Sequence, residues 1–179
     1  MNDVAPYSTA MPRGQVGHFG KYRARVTDNR DPQNLGRLQV LAPAVLYDTE
    51  VWALPCVPYA GPDVGWFAMP PVGAAVWVEF EGGDLDHPIW TGCYWPNDQT
   101  PPEGGSDPDI KVLKTEKVTI KIDDRSGEIE ITTQGGSRLK LTATDGELKS
   151  TTVTCESVNG KGVFSAAGLD VNDGAFTVI

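Results

Sequence analysis

Three side chains capable of acid–base chemistry lie close together in the sequence, Asp84, Asp86 and His87. A catalytic cluster would need a nucleophile or a metal-binding pattern beside these groups, and the surrounding residues supply neither. Asp residues that follow a pair of glycines are typical of solvated turns. We therefore interpret this segment as a turn, and we predict that the protein is not an enzyme and has no catalytic residue.

The remaining candidate metal ligands are scattered along the chain. Asp123 and Asp124 resemble the start of a calcium-binding loop, but the further oxygen ligands of such a loop are missing. Cys56, Cys93 and Cys155 are odd in number and widely spaced, which indicates neither a disulfide framework nor a zinc site. We expect buried, unpaired thiols in a reducing compartment, no metal and no cofactor.

The aromatic side chains raise a different possibility, a platform on which bases or sugars stack. The tryptophans are Trp52, Trp66, Trp77, Trp90 and Trp95. The chain has 15 Lys and Arg against 24 Asp and Glu, a net charge of −9, which opposes binding to nucleic acid or to an anionic membrane. Packing in a core or between subunits explains these tryptophans better. A carbohydrate- or nucleic-acid-binding module with an oligomerising tail remains the alternative.

The elements that would position these residues are strands. Val76, Val78 and Phe80 alternate with Trp77, Glu79 and Glu81, which is the period of a strand with two different faces. No window of the chain shows convincing helical spacing. Residues 82–84 can form a tight reversal, and residues 89–94 return as a second strand rich in β-branched and aromatic residues. This stretch predicts a β-hairpin that closes a domain at Trp95, because the composition changes directly after it.

Shorter strand signals precede this hairpin. Residues 21–28 and 37–41 alternate and are joined by a turn-rich loop, and two apolar segments, 51–57 and 65–69, follow between Gly and Pro residues. Five or six short strands suit an all-β fold, a small closed Greek-key barrel of the OB-fold type. We predict a flexible N-terminal arm at residues 1–17, an OB-fold collar domain at 18–95 and a Pro- and Gly-rich linker at 96–109.

A different pattern begins at residue 110. Aliphatic residues at 118, 120 and 122, then at 129 and 131, then at 139 and 141, alternate with charged or hydroxyl-bearing residues. Turns that contain Gly127, Gly136 and Gly146 separate these strands and recur roughly every ten residues. This spacing is typical of a β-solenoid or β-prism, and we predict such a spike over residues 110–179.

This second segment has too little apolar surface for a core of its own. Phe164 and Phe176 are its only aromatic residues, and an isolated meander would expose open strand edges. Three chains intertwined as a triangular prism would bury the aliphatic rows, and a monomeric β-sandwich is the alternative. The predicted trimer core consists of Val118, Ile120, Ile122, Ile129, Ile131, Leu139, Leu141, Leu148, Val153, Leu169 and Val171.

Five pieces of the chain occur together in a characteristic order. They are Gly20-Lys-Tyr-Arg-Ala-Arg-Val-Thr-Asp-Asn29, Asp31-Pro32 followed by Leu35-Gly-Arg-Leu-Gln-Val40, Pro70-Pro-Val-Gly73, Val78-Glu-Phe-Glu-Gly-Gly-Asp84 and the ending Val171-Asn-Asp-Gly-Ala-Phe-Thr-Val-Ile179. This combination resembles the baseplate assembly protein V family, the central spike of contractile phage tails and related injection particles. It is also similar to the valine-glycine-repeat spike of type VI secretion.

The resemblance implies a homotrimer in which an OB-fold collar joins a triple-stranded β-helix, without catalytic activity. It implies a baseplate hub protein at the collar end and a small tip protein of the proline-alanine-alanine-arginine type at the C-terminal end. Sheath contraction would drive the needle through the target envelope, so that a membrane is contacted only during puncture. The protein would be assembled in the bacterial cytoplasm and reside in a virion or injection particle.

The end of the chain is the predicted binding platform for the tip protein. Ala175, Phe176, Val178 and Ile179 form an apolar ending, and three exposed copies of it would make a contact surface. Some relatives carry a lysozyme domain between collar and needle, but the linker here leaves no room for one, which argues against an envelope-degrading enzyme. Other short spikes bind iron through a His-x-His motif, which the sequence around the histidines lacks, so the resemblance implies no metal either.

Overall fold

The computed structural model describes residues 17–105 and 107–178, which form two compact units, one ending at Gln99 and the other beginning at Thr100. Residues 1–16 of the predicted arm, together with Ser106 and Ile179, lie outside the described residues. The division between the units falls inside the predicted linker, and the predicted domain boundaries stay predictions. The all-β prediction is confirmed. Within the described ranges, no helix has the length and apolar character needed to cross a membrane.

The first unit contains seven described strands and one short helix. Their bounds are β1 Tyr22–Asp28, β2 Leu38–Leu41, α1 Pro43–Leu46, β3 Glu50–Pro55, β4 Ala60–Gly61, β5 Val64–Gly65, β6 Ala75–Phe80 and β7 Pro88–Cys93, with a 3₁₀ turn at Glu81–Gly83. Both predicted hairpins are present, since β1 pairs with β2 and β6 pairs with β7 in antiparallel fashion.

Five of these strands close into a barrel in the order β1-β2-β3-β7-β6, and pairing of β1 with β6 completes the ring. Neighbouring strands are antiparallel except β3 and β7, which run parallel where Leu54 pairs with Ile89 and Pro55 with Trp90. A small closed five-stranded barrel with a crossover is consistent with the OB fold. Closure leaves this unit without an open barrel edge.

The barrel interior is filled by alternate residues of its strands, as the period of two requires. The buried core consists of Ala24, Val26, Leu38, Val40, Ala42, Leu46, Ala53, Val76, Val78, Phe80 and Trp90. Complete burial of one aliphatic side chain stabilises a folded protein by about 1.5–3 kcal/mol. Because several such side chains are buried together, the barrel has a hydrophobic core of its own.

The segment between β3 and β6 differs from the sequence prediction. Only β5 forms where a strand at 65–69 was expected, and it pairs with β4 in a small separate hairpin. Residues 66–69 have no regular structure, and residues 61–68 are all exposed. Pro70 and Pro71 follow directly, and proline lacks the N–H group that a further strand would use. The apolar residues of this segment therefore lie on the surface of the barrel.

The second unit contains nine described strands in two antiparallel sheets. Their bounds are β8 Ile110–Lys114, β9 Val118–Asp123, β10 Glu128–Thr133, β11 Arg138–Leu141, β12 Gly146–Lys149, β13 Val153–Ser157, β14 Gly160–Ser165, β15 Gly168–Val171 and β16 Phe176–Val178, with a 3₁₀ turn at Pro102–Gly104. Strands β8–β12 form one meander and strands β13–β16 form the other.

The predicted repeat of short strands separated by glycine-containing turns is largely present. Gly127 and Gly136 lie in turns with φ of +67° and +87°, in the left-handed region that glycine tolerates best. Gly146 was also expected in a turn, but it is the first residue of β12 and pairs with Leu141. The preceding turn is formed by residues 142–145, where the Asp145 carbonyl accepts a hydrogen bond from the Thr142 N–H.

Candidate functional site

The first sheet of the second unit collects the predicted aliphatic residues on one face. Ile129 lies opposite Ile122 on one side and Leu141 on the other. Ile131 in the same strand lies opposite Ile120 and Leu139. Directly paired residues of antiparallel strands point to the same side of a sheet, so these side chains form a continuous apolar surface. Val118 and Leu148 extend this surface through their pairing with Thr133 and Leu139.

The second sheet carries an apolar face built in the same way. Val153 pairs with Phe164, which pairs with Leu169, and Gly162 pairs with Val171. We call these two surfaces together the aliphatic face. Within each sheet, the aliphatic face brings together the residues predicted for the trimer core. It also contains Leu113 and Phe164, which were not among the predicted trimer-core residues. The mixed pattern of residues 110–114, in which Lys111 shares a face with Leu113, gave no clear signal for that residue.

The aliphatic face lacks cover in the single chain. Among the described residues from 100 to 178 no side chain is buried, and Leu148 is 58% exposed. The buried hydrophobic core of the described chain lies wholly in the first unit, in the barrel strands and at helix α1. Each of the two sheets in the second unit therefore has one apolar side that is open to solvent in the single chain.

The opposite side of the first sheet is charged and internally paired. Arg138 lies 2.5 Å from Glu147 and 3.7 Å from Glu130 in ion pairs, and Lys140 lies 2.9 Å from Glu128. The hydrogen bond from Arg138 holds the pKa of the Glu147 carboxyl below its usual range. Because these cross-strand ion pairs balance positive against negative charge on their own sheet, this side is suited to contact with water.

The residues predicted to bind a tip protein lie partly on the aliphatic face. Phe176 pairs with Val171 and Val178 pairs with Leu169, so both side chains continue that face through the last strand. Phe176 is 59% exposed and Val178 is 49% exposed. Ala175 belongs to the turn before β16, and Ile179 lies outside the described residues. Strand β16 is also the free edge of its sheet.

The acidic loops behave as turns. Asp84 accepts a hydrogen bond from the Asp86 N–H at 3.0 Å and lies 3.2 Å from His87 Nδ1. The Asp86 hydrogen bond in the first place, and His87 in addition, hold the pKa of the Asp84 carboxyl below its usual range. Asp123 likewise accepts hydrogen bonds from the N–H groups of Arg125 and Ser126, which close the β9–β10 turn.

Neither loop gathers further ligands. Within residues 17–105 and 107–178, no group of three His, Cys, Asp or Glu side chains is arranged to hold a metal ion. The three cysteines are unpaired, but the prediction that they are buried is wrong, because Cys56, Cys93 and Cys155 are all exposed in the chain. Cys155 pairs with Gly162, which places it on the open aliphatic face.

The tryptophans do not form one stacking platform. Trp90 is buried in the barrel and donates a hydrogen bond to the Gly36 carbonyl at 3.2 Å. The Arg37 guanidinium lies 5.3 Å from the Trp52 ring centre. Trp77 packs on Tyr94 with ring centres 4.6 Å apart. Core packing therefore accounts for Trp90 alone, and the other tryptophans lie partly or largely on the surface.

An apolar groove on the barrel was not foreseen from the sequence. It has a volume of about 610 Å³ and lies between the β1–β2 loop and the β4–β5 hairpin, with Trp90 at its base. Tyr59, Trp66 and Phe67 line it and are 58%, 57% and 78% exposed. The sequence did contain a signal for this groove. Its aromatic residues occur in a stretch that lacks the apolar–polar alternation of a strand with one buried side. We call this feature the aromatic groove.

Backbone geometry holds the walls of the groove in place. The Trp66 N–H donates a hydrogen bond to the Tyr59 carbonyl at 2.9 Å and thereby sets the two aromatic residues side by side. On the opposite wall Gly36 has a φ of +73°, and a Cβ there would lie 3.6 Å from the Phe67 ring. A side chain at this position would be strained by the backbone angle, so glycine suits the turn, although a Cβ would have ordinary van der Waals room beside Phe67.

Comparison with known proteins agrees with this architecture. Residues 22–95 match the family model described as the type VI secretion system/phage-baseplate injector OB domain. The match begins with β1, ends two residues after β7 and so includes the whole closed barrel. A search of curated proteins gives no match to the chain. The barrel of this chain, at residues 22–95, is therefore similar to the OB domain of type VI secretion system and phage-baseplate injectors.

Proposed function

We propose that the chain is the structural central spike of a contractile tail or injection machine and acts as a homotrimer without enzymatic activity. The barrel would form the collar, and the second unit would form an intertwined β-helix around the three-fold axis. The similarity of the barrel to the OB domain of an injector family supports a structural role in a tail or baseplate. The spike is a mechanical device: strands paired between chains resist shear, because one chain cannot unfold without its neighbours.

The observation that carries this proposal is the uncovered aliphatic face. Two sheets that each leave an apolar face open, with no buried described residue, do not offset the entropy cost of ordering some eighty residues. Three copies that turn these faces toward a common axis would remove the apolar surface from water. The same arrangement would pair the free edges at β8, β12 and β13 with strands of neighbouring chains.

Light scattering coupled to size-exclusion chromatography tests the trimer on purified full-length protein. We expect a mass three times the 19.3 kDa of the chain, and a band of the same size on a gel loaded without boiling. A mass of 19.3 kDa at micromolar concentration would remove the basis of the proposal.

The ends of the trimer would contact different proteins, a baseplate hub at the collar and a tip protein of the proline-alanine-alanine-arginine type at the C-terminus. The exposed residues Phe176 and Val178, at the free edge of the last sheet, support the second contact. Removal of residues 176–179 should abolish co-purification of the tip protein. The mass of the truncated protein is the control, and retention of the tip protein by a truncated trimer would refute the assignment.

A further inference from the structure

The aromatic groove on the barrel is an exposed apolar surface of a kind that marks protein contacts. Five large apolar side chains around it are more than half exposed: Leu35, Tyr59, Val64, Trp66 and Phe67. Scattered single exposures of this kind are ordinary, but a contiguous patch is not. Trp and Tyr that flank a preformed concavity are the residue types that dominate binding energy at interfaces.

We propose that the aromatic groove binds an extended segment of another protein of the injection particle, one that presents an apolar side chain beside a lysine or arginine. The apolar side chain would enter the groove between Trp66 and Phe67 above Trp90. The basic group would pair with Asp63, which lies in the wall of the groove. The inference rests on the proposed function, since it takes the barrel to be a collar mounted on a neighbouring component.

The charge of the groove supports this choice of occupant. Of the residues that line it in the described part of the chain, Asp63 alone is charged, and no hydrogen bond or ion pair engages its carboxylate there. A partner that brings a basic side chain would compensate this charge, and charge complementarity favours one partner over another.

The shape of the groove also favours a protein segment over a sugar or a base. Its walls are mostly aliphatic and aromatic, and Phe67 rests against Gly36 on one side while most of the ring stays exposed. Sugars need many hydrogen-bonding groups, whereas this lining offers few polar side chains. A volume of about 610 Å³ accommodates a few side chains of an extended segment.

Site-specific photo-crosslinking tests the proposal in the assembled particle. Full-length chain with p-benzoylphenylalanine in place of Phe67 is produced in cells that assemble the particle, and the particles are isolated before illumination. A matched sample carries the crosslinker in place of Tyr47, which is 80% exposed on the same unit but does not line the groove. We expect the Phe67 position alone to crosslink to one segment of another particle protein, with Lys or Arg next to an apolar residue.

Two variants of the full-length chain provide a second measurement. Trp66→Ser should reduce incorporation of the chain into isolated particles about thirtyfold, the loss expected for a central interface tryptophan. Asp63→Lys should also reduce incorporation, and exchange of the partner's basic residue for Glu should restore it. The mass of each purified variant must remain that of the wild-type oligomer, since the groove lies on the barrel and not on the aliphatic face.

The outcomes separate this inference from the proposed function. Three results at the Phe67 position would overturn the inference: a crosslink to another copy of this chain, no crosslink at all, or a crosslink to the same segment as the Tyr47 position. The proposed function would still stand in each case if the chain is incorporated as a trimer. Incorporation of Trp66→Ser into particles at the wild-type level would also overturn the inference. Absence of the wild-type chain from particles would overturn both.

Discussion

Asp31 organises the loop between β1 and β2 through a single carboxylate. It accepts hydrogen bonds from the N–H groups of Gln33, Leu35 and Arg37, and the Arg37 guanidinium donates to the same group at 2.7 Å. Only 4% of the Asp31 side chain is exposed. The Arg37 guanidinium first, and the three N–H groups in addition, hold the pKa of Asp31 well below its usual range.

This arrangement predicts a pH-dependent loss of stability in the barrel. A carboxyl with a depressed pKa in the folded state stabilises the protein fully above its unfolded pKa of about 3.9, and the contribution is lost as the pH falls toward the folded value. Asp31→Asn lacks this contribution at every pH. The urea midpoint of Asp31→Asn should therefore lie below that of the wild type at pH 7, with the gap closing below about pH 4.

Tryptophan fluorescence measures this transition, because all five tryptophans lie in the first unit. Asp48→Asn removes the same charge from an exposed site and should leave the midpoint at pH 7 near the wild-type value. A gap between wild type and Asp31→Asn that persists unchanged at pH 3 would contradict this account of Asp31.

Leu38 tests the barrel core at the same scale. Its side chain is completely buried, so Leu38→Ala should lower the free energy of unfolding by about 2–5 kcal/mol through lost burial and a residual cavity. Leu54→Ala is the matched control, because Leu54 lies in a neighbouring barrel strand but is 47% exposed. Urea unfolding followed by fluorescence should show a much smaller loss for the control, and equal losses would contradict the assignment of Leu38 to the core.

At the scale of elements, strands β9, β10 and β11 of the second unit each separate two kinds of chemistry. In β10 the aliphatic Ile129 and Ile131 alternate with Glu128, Glu130 and Thr132. The registers of β9 and β11 continue this separation across the sheet. A slip of one residue in any pairing would place charged groups on the aliphatic face, so the register is strongly specified if that face is covered.

A pair of adjacent substitutions in β10 tests whether the aliphatic face joins the chains. Ile131→Glu places a charge on that face, and burial of an unpaired charge is costly enough to prevent association. Thr132→Glu introduces the same residue one position further on, beside Arg138 on the charged side. Light scattering should give 19.3 kDa for Ile131→Glu and three times that mass for Thr132→Glu. A trimer in both variants would show that the chains associate elsewhere.

At the scale of the whole molecule, the two units should differ in how their stability depends on concentration. The barrel has its own buried core, whereas the described second unit has none. A homotrimer forms in two association steps, so each tenfold dilution should destabilise it by about 2.8 kcal/mol. Folding of the barrel, by contrast, should not depend on concentration.

Two optical probes separate these behaviours in one thermal scan. Residues 100–179 contain no tryptophan or tyrosine, so fluorescence reports the barrel while far-ultraviolet circular dichroism reports both units. We expect a circular-dichroism transition that moves to lower temperature on dilution and a fluorescence transition that does not move. Where unfolding is slow, the scan is repeated at several rates. Two transitions that are both independent of concentration would argue against shared strands.

The sequence alone determined the features that depend on neighbouring residues. The β6–β7 hairpin and the two-faced strands from residue 118 to 141 were predictable, because side chains in a strand alternate with a period of two whatever they pair with. The turns at Asp84 and Asp123 were predictable for a similar reason, since each Asp side chain bonds to backbone groups two or three residues further on.

The tertiary structure decided the features that depend on how distant segments pair. Tyr59, Trp66 and Phe67 face a groove only because barrel closure brings Gly36 and Trp90 beside them. The exposure of Cys155 and the place of Phe176 on the aliphatic face likewise follow from strand register. Local sequence determines which side chains share a face of a strand. Turn geometry and sheet closure act over tens of residues, and they determine which other residues each face contacts.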